Sequence, residues 1–112
     1  MQPSHGEIWR IDLNPTRGHE QKGVRPALIV SVDQFNHGPA DLVIVIPITK
    51  TARGIPFHVS IQPSEGGLVV ASFAKCEDVR SVSKDRLKSR MGIVSKATME
   101  KVKDRLRILM DL

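Results

Sequence analysis

Two apolar, β-branched-rich runs, Ala27 to Val32 and Leu42 to Ile48, fix the centre of whatever this chain folds into. Each has the length and near-continuous hydrophobicity of a strand buried on both faces. Shorter strands surround them. Ile8 to Leu13 sets Trp9, Ile11 and Leu13 on one face at period two, and Pro15 ends it. Phe57 to Ile61 and Leu68 to Phe73 read as an antiparallel pair joined through Gln62 to Gly67, and Val79 to Val82 adds a short strand. Asn14 to Gly23 is polar, carries two Gly and a Pro, and is a long loop for a small fold. Strands joined by turns, with no helices between them, predict a mainly β architecture: a small curled sheet or barrel.

The period changes at the C-terminus. Met99, Val102, Leu106, Leu109 and Met110 fall at helical spacing while Lys96, Lys103, Asp104, Arg107 and Asp111 face away, so a helix packs on the sheet. Ser95 is placed to cap it, although Thr98 is not the carboxylate of a full capping box. A chain of 112 residues supports one modest core, and residues 1–112 are expected to form one domain.

That core must be aliphatic, because the chain has three Phe, one Trp and no Tyr, and the same scarcity rules out aromatic stacking as the main way of holding a base. Lys and Arg outnumber Asp and Glu by 17 to 12, a net charge of +5 that favours polyanions, nucleic acid first and anionic membrane surface second. Charge of this size is also common on proteins that touch no polyanion, so it needs a site to support it. Cys76 is the only cysteine, which excludes an intrachain disulfide and a thiolate zinc cluster and suits a reducing compartment. No basic-then-apolar leader and no apolar run near the roughly 18 residues of a membrane span is present, so a cytoplasmic location is expected.

Several enzyme classes lose their signatures here: there is no phosphate-cradling glycine motif, no His-Glu-x-x-His and no Gly-x-Ser-x-Gly. No metal or cofactor site is expected. His5, His37 and His58 stand apart without ligand spacing and read as surface or hydrogen-bonded structural residues. The informative cluster is Gly18-His19-Glu20-Gln21 followed by Gly23-Val24-Arg25-Pro26, which leads into the first central strand. Pro26 restricts Arg25 to extended angles, so its guanidinium is presented from a defined position at a strand mouth. That suits a phosphate, but on the local pattern alone a surface pair with Glu20 is the stronger reading. Pro47-Ile48-Thr49 closes the second central strand and brings the Thr49 hydroxyl toward Arg25 across the sheet, though a threonine at a strand end usually just bonds backbone. Lys75-Cys76-Glu77-Asp78-Val79-Arg80 concentrates charge after a strand, which a solvated sheet edge also explains.

Taken in order, Gly6-Glu7-Ile8-Trp9, Asp12-Leu13-Asn14-Pro15-Thr16, Gly18-His19-Glu20-Gln21, Gly23-Val24-Arg25-Pro26 and Pro47-Ile48-Thr49 resemble the blocks of the MazF/PemK family of toxin endoribonucleases from toxin-antitoxin pairs, over nearly the whole chain. The resemblance implies an SH3-like, CcdB-like β-barrel with a C-terminal α-helix and short additional helices. It implies a homodimer, and sequence-specific, metal-independent cleavage of single-stranded RNA to 2′,3′-cyclic phosphate and 5′-hydroxyl ends. A cognate antitoxin with an acidic, disordered C-terminal tail would neutralise it.

By the same resemblance the catalytic arginine is Arg25 and its hydroxyl partner Thr49. In another branch of the family the histidine of the Gly-His-Glu-Gln block and a later Arg-x-Asp pair are used, falling here on His19, Lys75 and Glu77. Lys for Arg loses the bidentate fork, and Glu for Asp moves the carboxylate outward by about one methylene, so the proton acceptor stays open between Glu77 and His19. RNA contacts are expected from Arg17, His19, Glu20, Gln21, Lys22, Lys50, Arg53, Lys75 and Arg80. The rival on the same barrel is a CcdB-like, gyrase-binding toxin without nuclease activity; the pairing of Gly23-Val24-Arg25-Pro26 with Pro47-Ile48-Thr49 belongs to the nuclease branch. A plain SH3-like adaptor would need an aromatic groove that this composition hardly allows.

Overall fold

The two apolar runs do lie side by side as antiparallel strands at the centre of a seven-stranded sheet, in a computed structural model that describes residues 2–14 and 23–112. The strands are β1 (Glu7–Asp12), β2 (Val24–Ile29), β3 (Leu42–Thr49), β4 (His58–Ile61), β5 (Ser72–Lys75), β6 (Arg80–Ser83) and β7 (Leu87–Ile93). A one-turn helix α1 (Asp33–Asn36) follows β2, and α2 (Lys96–Met110) ends the chain. The order β4-β5-β3-β2-β1-β7, with β6 also on β3, leaves the sheet open rather than closed into a ring. The expected class, mainly β with a C-terminal helix and short extra helices, is what forms. Among the described residues no helix is long and apolar enough to cross a membrane.

Two prolines decide where the sheet divides. On the β3 side of β2 the bonded rungs fall at every second residue: Val30 N–H donates to Ile44 O at 2.9 Å, and Leu28 then faces Ile46. The next rung would join Pro26 to Ile48, but Pro26 has no N–H to give, and the β2–β3 pairing stops at Ala27–Pro47. The other edge of β3 changes partner around Pro47. There β6 covers Leu42 to Val45 and β5 covers Ile48 and Thr49. The ends of β2 and β3 therefore part, each still held by an outer neighbour.

Strand alternation builds two apolar layers. Trp9, Ile11, Ala27, Ile29, Val43, Val45 and Val82 form one, with Leu13 and Leu87. Ile8, Leu28, Ile46, Ile48, Val59, Ile61 and Ala74 form the other, under Met99 and Val102 of α2. Burial on both faces thus holds for β2 and β3, as their near-continuous hydrophobicity requires. Ser95 caps α2, its Oγ accepting from Thr98 N–H at 3.1 Å. The carboxylate missing from the local capping box comes from elsewhere: Glu65 Oε2 accepts from Ser95 N–H at 2.9 Å and from Thr98 Oγ1 at 2.6 Å.

Glu65 opens a tight turn, Glu65–Gly67, that crosses close to β7 on its way from β4 to β5. Only glycine permits that approach. A Cβ on Gly67, whose φ is +79°, would lie 2.3 Å from Met91 O, and one on Gly92 would lie 2.6 Å from the Gly66 carbonyl carbon.

Two expected strands need correction, and a third strand was missed. β2 starts at Val24, not Ala27, because Val24, Arg25 and Pro26 pair with Asp12, Ile11 and Arg10; Arg25 is therefore in a strand and not at its mouth. The Leu68 to Phe73 run is a strand only from Ser72, since the crossing carries Leu68 to Ala71 away from β4 and leaves Val69 87% exposed. β7 had no apolar signature, being a polar strand, Leu-Lys-Ser-Arg-Met-Gly-Ile, on the outer side of β1. At the end of α2, Leu109 and Met110 continue the apolar stripe past the sheet and are exposed.

Glu7 ties β7 to β1. Its carboxylate accepts from Ser4 N–H at 2.7 Å, Trp9 Nε1 at 3.0 Å and Arg90 Nε at 2.5 Å. Burial pushes the Glu7 carboxyl up, but the bonds from Arg90, Trp9 and Ser4 outweigh it and the net shift is downward from 4.5. A depressed carboxyl stabilises the fold above its ordinary range and loses that contribution as pH falls through its folded value. Glu7→Gln should therefore lower the melting temperature near neutral pH and flatten its fall below pH 4.5, which melting curves across pH measure directly. Gly67→Ala, which meets backbone at a left-handed φ, should cost about 3 kcal/mol in urea unfolding; an unchanged midpoint would show that the crossing can move away from β7.

Candidate active site

Where β2 and β3 part, a groove of ≈ 480 Å³ opens at the end of the layer that α2 covers. β1 and β2 supply Arg10, Val24, Arg25 and Pro26, and the end of β3 with its following turn supplies Ile48, Thr49, Lys50 and Thr51. The crossing segment adds Leu68, Val69, Val70 and Ser72, and β7 adds Met91. Continuing the β2–β3 register by two residues would set Arg25 opposite Thr49. They face each other across the gap that Pro26 leaves. No carboxylate lines the groove among the described residues, whereas three cations do. Asp12, next in line on β1, has an Oδ1 that accepts from Asn14 N–H at 3.0 Å.

Thr49 is half-buried, and its Oγ1 accepts from Thr51 N–H at 3.2 Å, a local turn that fixes the hydroxyl and leaves its proton to donate elsewhere. Lys50 is exposed beside it. Together the groove offers a strand-borne guanidinium, an oriented hydroxyl and an ammonium, a set suited to an oxyanion such as a phosphodiester.

The charged run after β5 is a different construction. Lys75 Nζ lies 3.7 Å from Asp78 Oδ2, and Arg80 donates to the same oxygen at 3.0 Å. Glu77 Oε2 is 2.8 Å from Nε2 of His58, whose side chain is only 3% exposed against 33% for Glu77. His58 Nδ1 is buried with no partner among the described residues. Cys76 is buried in the apolar layer, and burial pushes its thiol up to about 11, so it is no ready nucleophile. No group of three or more His, Cys, Asp and Glu in metal-binding proximity occurs among the described residues.

Of the residues expected from sequence, Arg25, Thr49 and Lys50 line one groove. Lys75, Glu77 and Arg80 do not line it; their charges are engaged with Asp78 and His58. Arg53 is exposed on the segment between β3 and β4, also outside the groove. Arg17, His19, Glu20, Gln21 and Lys22 lie outside the described residues. Sequence reasoning missed Arg10, Val24, Val69, Val70 and Met91. A signal existed for Arg10: it stands alone as a charge within an otherwise apolar strand core, Ile8-Trp9-Arg10-Ile11. None existed for Val69 and Val70, which read as strand, and Val24 stood only as a neighbour of Arg25 in its cluster.

Residues 4–110 match the family described as PemK-like, MazF-like toxin of type II toxin-antitoxin system. Endoribonuclease MazF9 of Mycobacterium tuberculosis (strain ATCC 25618 / H37Rv) is 37% identical over 112 residues, spanning 96% of this chain and 95% of that protein. Endoribonuclease MazF of Staphylococcus saprophyticus is 32% identical over 108 residues, spanning 96% and 90%. Among solved structures, Form-I MazF from Deinococcus radiodurans superposes with a TM-score of 0.89 at 26% identity, covering 100% of this chain and 99% of that one. An endoribonuclease in complex with its cognate antitoxin, from Mycobacterial species, gives 0.82 at 30% identity, covering 98% and 96%. Fold and sequence agree along nearly the whole length, and the chain belongs to the PemK-like, MazF-like toxins of type II toxin-antitoxin systems.

Proposed function

We propose that this chain is an endoribonuclease toxin that cuts single-stranded RNA at short sequence motifs in the Arg25–Thr49 groove, without a metal ion. The observation that carries the reading is a cationic groove, formed by interrupted strand pairing and free of carboxylates among the described residues. RNA brings its own nucleophile. The 2′-hydroxyl attacks the adjacent phosphorus, its proton passes to a base, the P–O5′ bond breaks, and the departing oxygen takes a proton to become a 5′-hydroxyl beside a 2′,3′-cyclic phosphate. Arg25 neutralises the charge that builds on the phosphorane, and Thr49 donates its hydroxyl proton to a non-bridging oxygen. Arg25 stays protonated at ordinary pH and is a poor base. The base is His19 or Glu77.

In this reading residues 1–112 act as one domain, the active form is a homodimer in the cytoplasm, and a cognate antitoxin lays an acidic C-terminal tail across the groove. The mycobacterial relative solved in complex with its cognate antitoxin supports an antitoxin as partner. So do the unopposed charges of Arg10 and Lys50 and the apolar rim of Val24, Val69 and Val70.

The test is incubation of the purified protein with a long RNA in EDTA, with mapping of cut sites and end chemistry. Cuts at a recurrent short sequence with cyclic phosphate ends are expected; a strict magnesium requirement or 5′-phosphate products would overturn the mechanism. Arg25→Ala should lower kcat by about 10³-fold or more, and Thr49→Val by about 10²-fold, with unchanged melting temperatures. His19→Ala and Glu77→Gln separate the two candidate bases through the acid limb of the pH profile.

A further inference from the structure

Arg10 is exposed and its side chain makes no hydrogen bond or ion pair among the described residues, although it sits in the middle of a strand between two paired neighbours. The nearby acids are committed elsewhere: Glu7 to Arg90, Ser4 and Trp9, and Asp12 to Asn14. An unpaired guanidinium held on a strand is a preorganised anion site. By strand alternation Arg10 shares the face of Ile8, Pro26 and Val24, whereas Arg25, opposite Ile11, belongs to the other face. The two arginines reach the groove from different sides, so they suit two phosphates and not two oxygens of one. The volume of ≈ 480 Å³ lies within the roughly 300–1,000 Å³ of small-ligand sites, room for more than a lone phosphate. Leu68, Val69 and Val70 give phosphate nothing to bond and offer an apolar wall for a base.

We propose that Arg10 is a positioning residue for the RNA: it holds the phosphate next to the scissile one, with the intervening base toward the Leu68–Val70 wall. This rests on the RNA-cleaving reading above. Arg10 would then govern how tightly the strand is held and leave the chemical step to Arg25 and Thr49.

The experiment measures kcat and KM of Arg10→Gln, Arg10→Lys and, as a charge-loss control on the exposed face of α2, Arg107→Gln, on an RNA oligonucleotide spanning one cut site, across a salt series. Arg10→Gln should raise KM about tenfold with kcat within twofold. It should also reduce the slope of log(kcat/KM) against log[salt] by about 0.7, the loss of one phosphate contact to a single strand. Arg10→Lys should restore most of the slope, and Arg107→Gln should leave it unchanged. Trimming the oligonucleotide from one end should abolish the difference between wild type and Arg10→Gln. Equal KM and slope in wild type and Arg10→Gln overturn the proposal, as does a loss confined to kcat, or a difference that survives trimming from both ends. If the wild type cleaves no RNA, the reading beneath it fails instead, and the two failures are distinct.

Discussion

The missing N–H of Pro26 is the constraint on which the rest depends. β2 and β3 are the most apolar strands in the molecule, and their ladder would otherwise run on into Val24 to Arg25 and Ile48 to Thr49. Had it done so, Arg25 and Thr49 would be neighbours across a closed sheet, with no space for a substrate between them. Instead the pairing ends at Ala27–Pro47. β1 keeps hold of the freed end of β2, and β5 keeps hold of the end of β3. A gap between two strands that are both still tethered is a rigid gap. In the proposed mechanism that rigidity would serve charge stabilisation at phosphorus, because donors already in place do not have to reorganise as the charge develops. The gap also needs a wall, supplied by Leu68 to Val70, which follow the Glu65–Gly67 turn; that turn lies against β7 only because Gly67 and Gly92 carry no side chain.

Charge in this molecule is sorted, not merely abundant. Around β5 and the turn that follows, cations have nearby anions: Lys75 and Arg80 share Asp78, and His58 meets Glu77. Such pairs largely cancel at a distance and hold strand ends together. In the groove the balance is reversed, with Arg10, Arg25 and Lys50 and no lining carboxylate among the described residues. The net charge of +5 is therefore a poor guide by itself. Its distribution is what distinguishes a polyanion site from a solvated edge, and distribution follows from strand pairing that composition does not contain.

The same distinction explains what could be read from the sequence. The central strands, the C-terminal helix and its Ser95 cap were legible because periodicity and capping are local properties. The family blocks were legible because they are ordered along the chain, and they led to Arg25 and Thr49, both of which line the groove. What escaped depends on register or on long-range contacts. β7 is polar because it lies at the outer side of β1, so it has no hydrophobic signature. Leu68 to Ala71 has strand composition, but the glycine-dependent crossing draws it out of reach of β4. Arg10 was not singled out, because its place beside Pro26 depends on the β1–β2 register. Glu65 completes the cap of α2 from thirty residues away, where no local capping box could reveal it.

The placement of Arg25 inside β2, and not on the preceding loop, changes what the groove asks of its surroundings. A guanidinium on a loop would have to be ordered by substrate, and part of the binding free energy would be consumed in ordering it. On a strand bonded to β1 it is ordered before substrate arrives, as is Thr49 through its turn to Thr51. The chemical step can then be common to any RNA that reaches the gap. In the function proposed above, discrimination between sequences falls to what surrounds the gap, namely the residues after Thr49 and the Leu68–Val70 wall. On that proposed reading, chemistry fixed on strands and selection carried by their connections would vary independently, and one scaffold could cut different sequences with the same arginine and threonine.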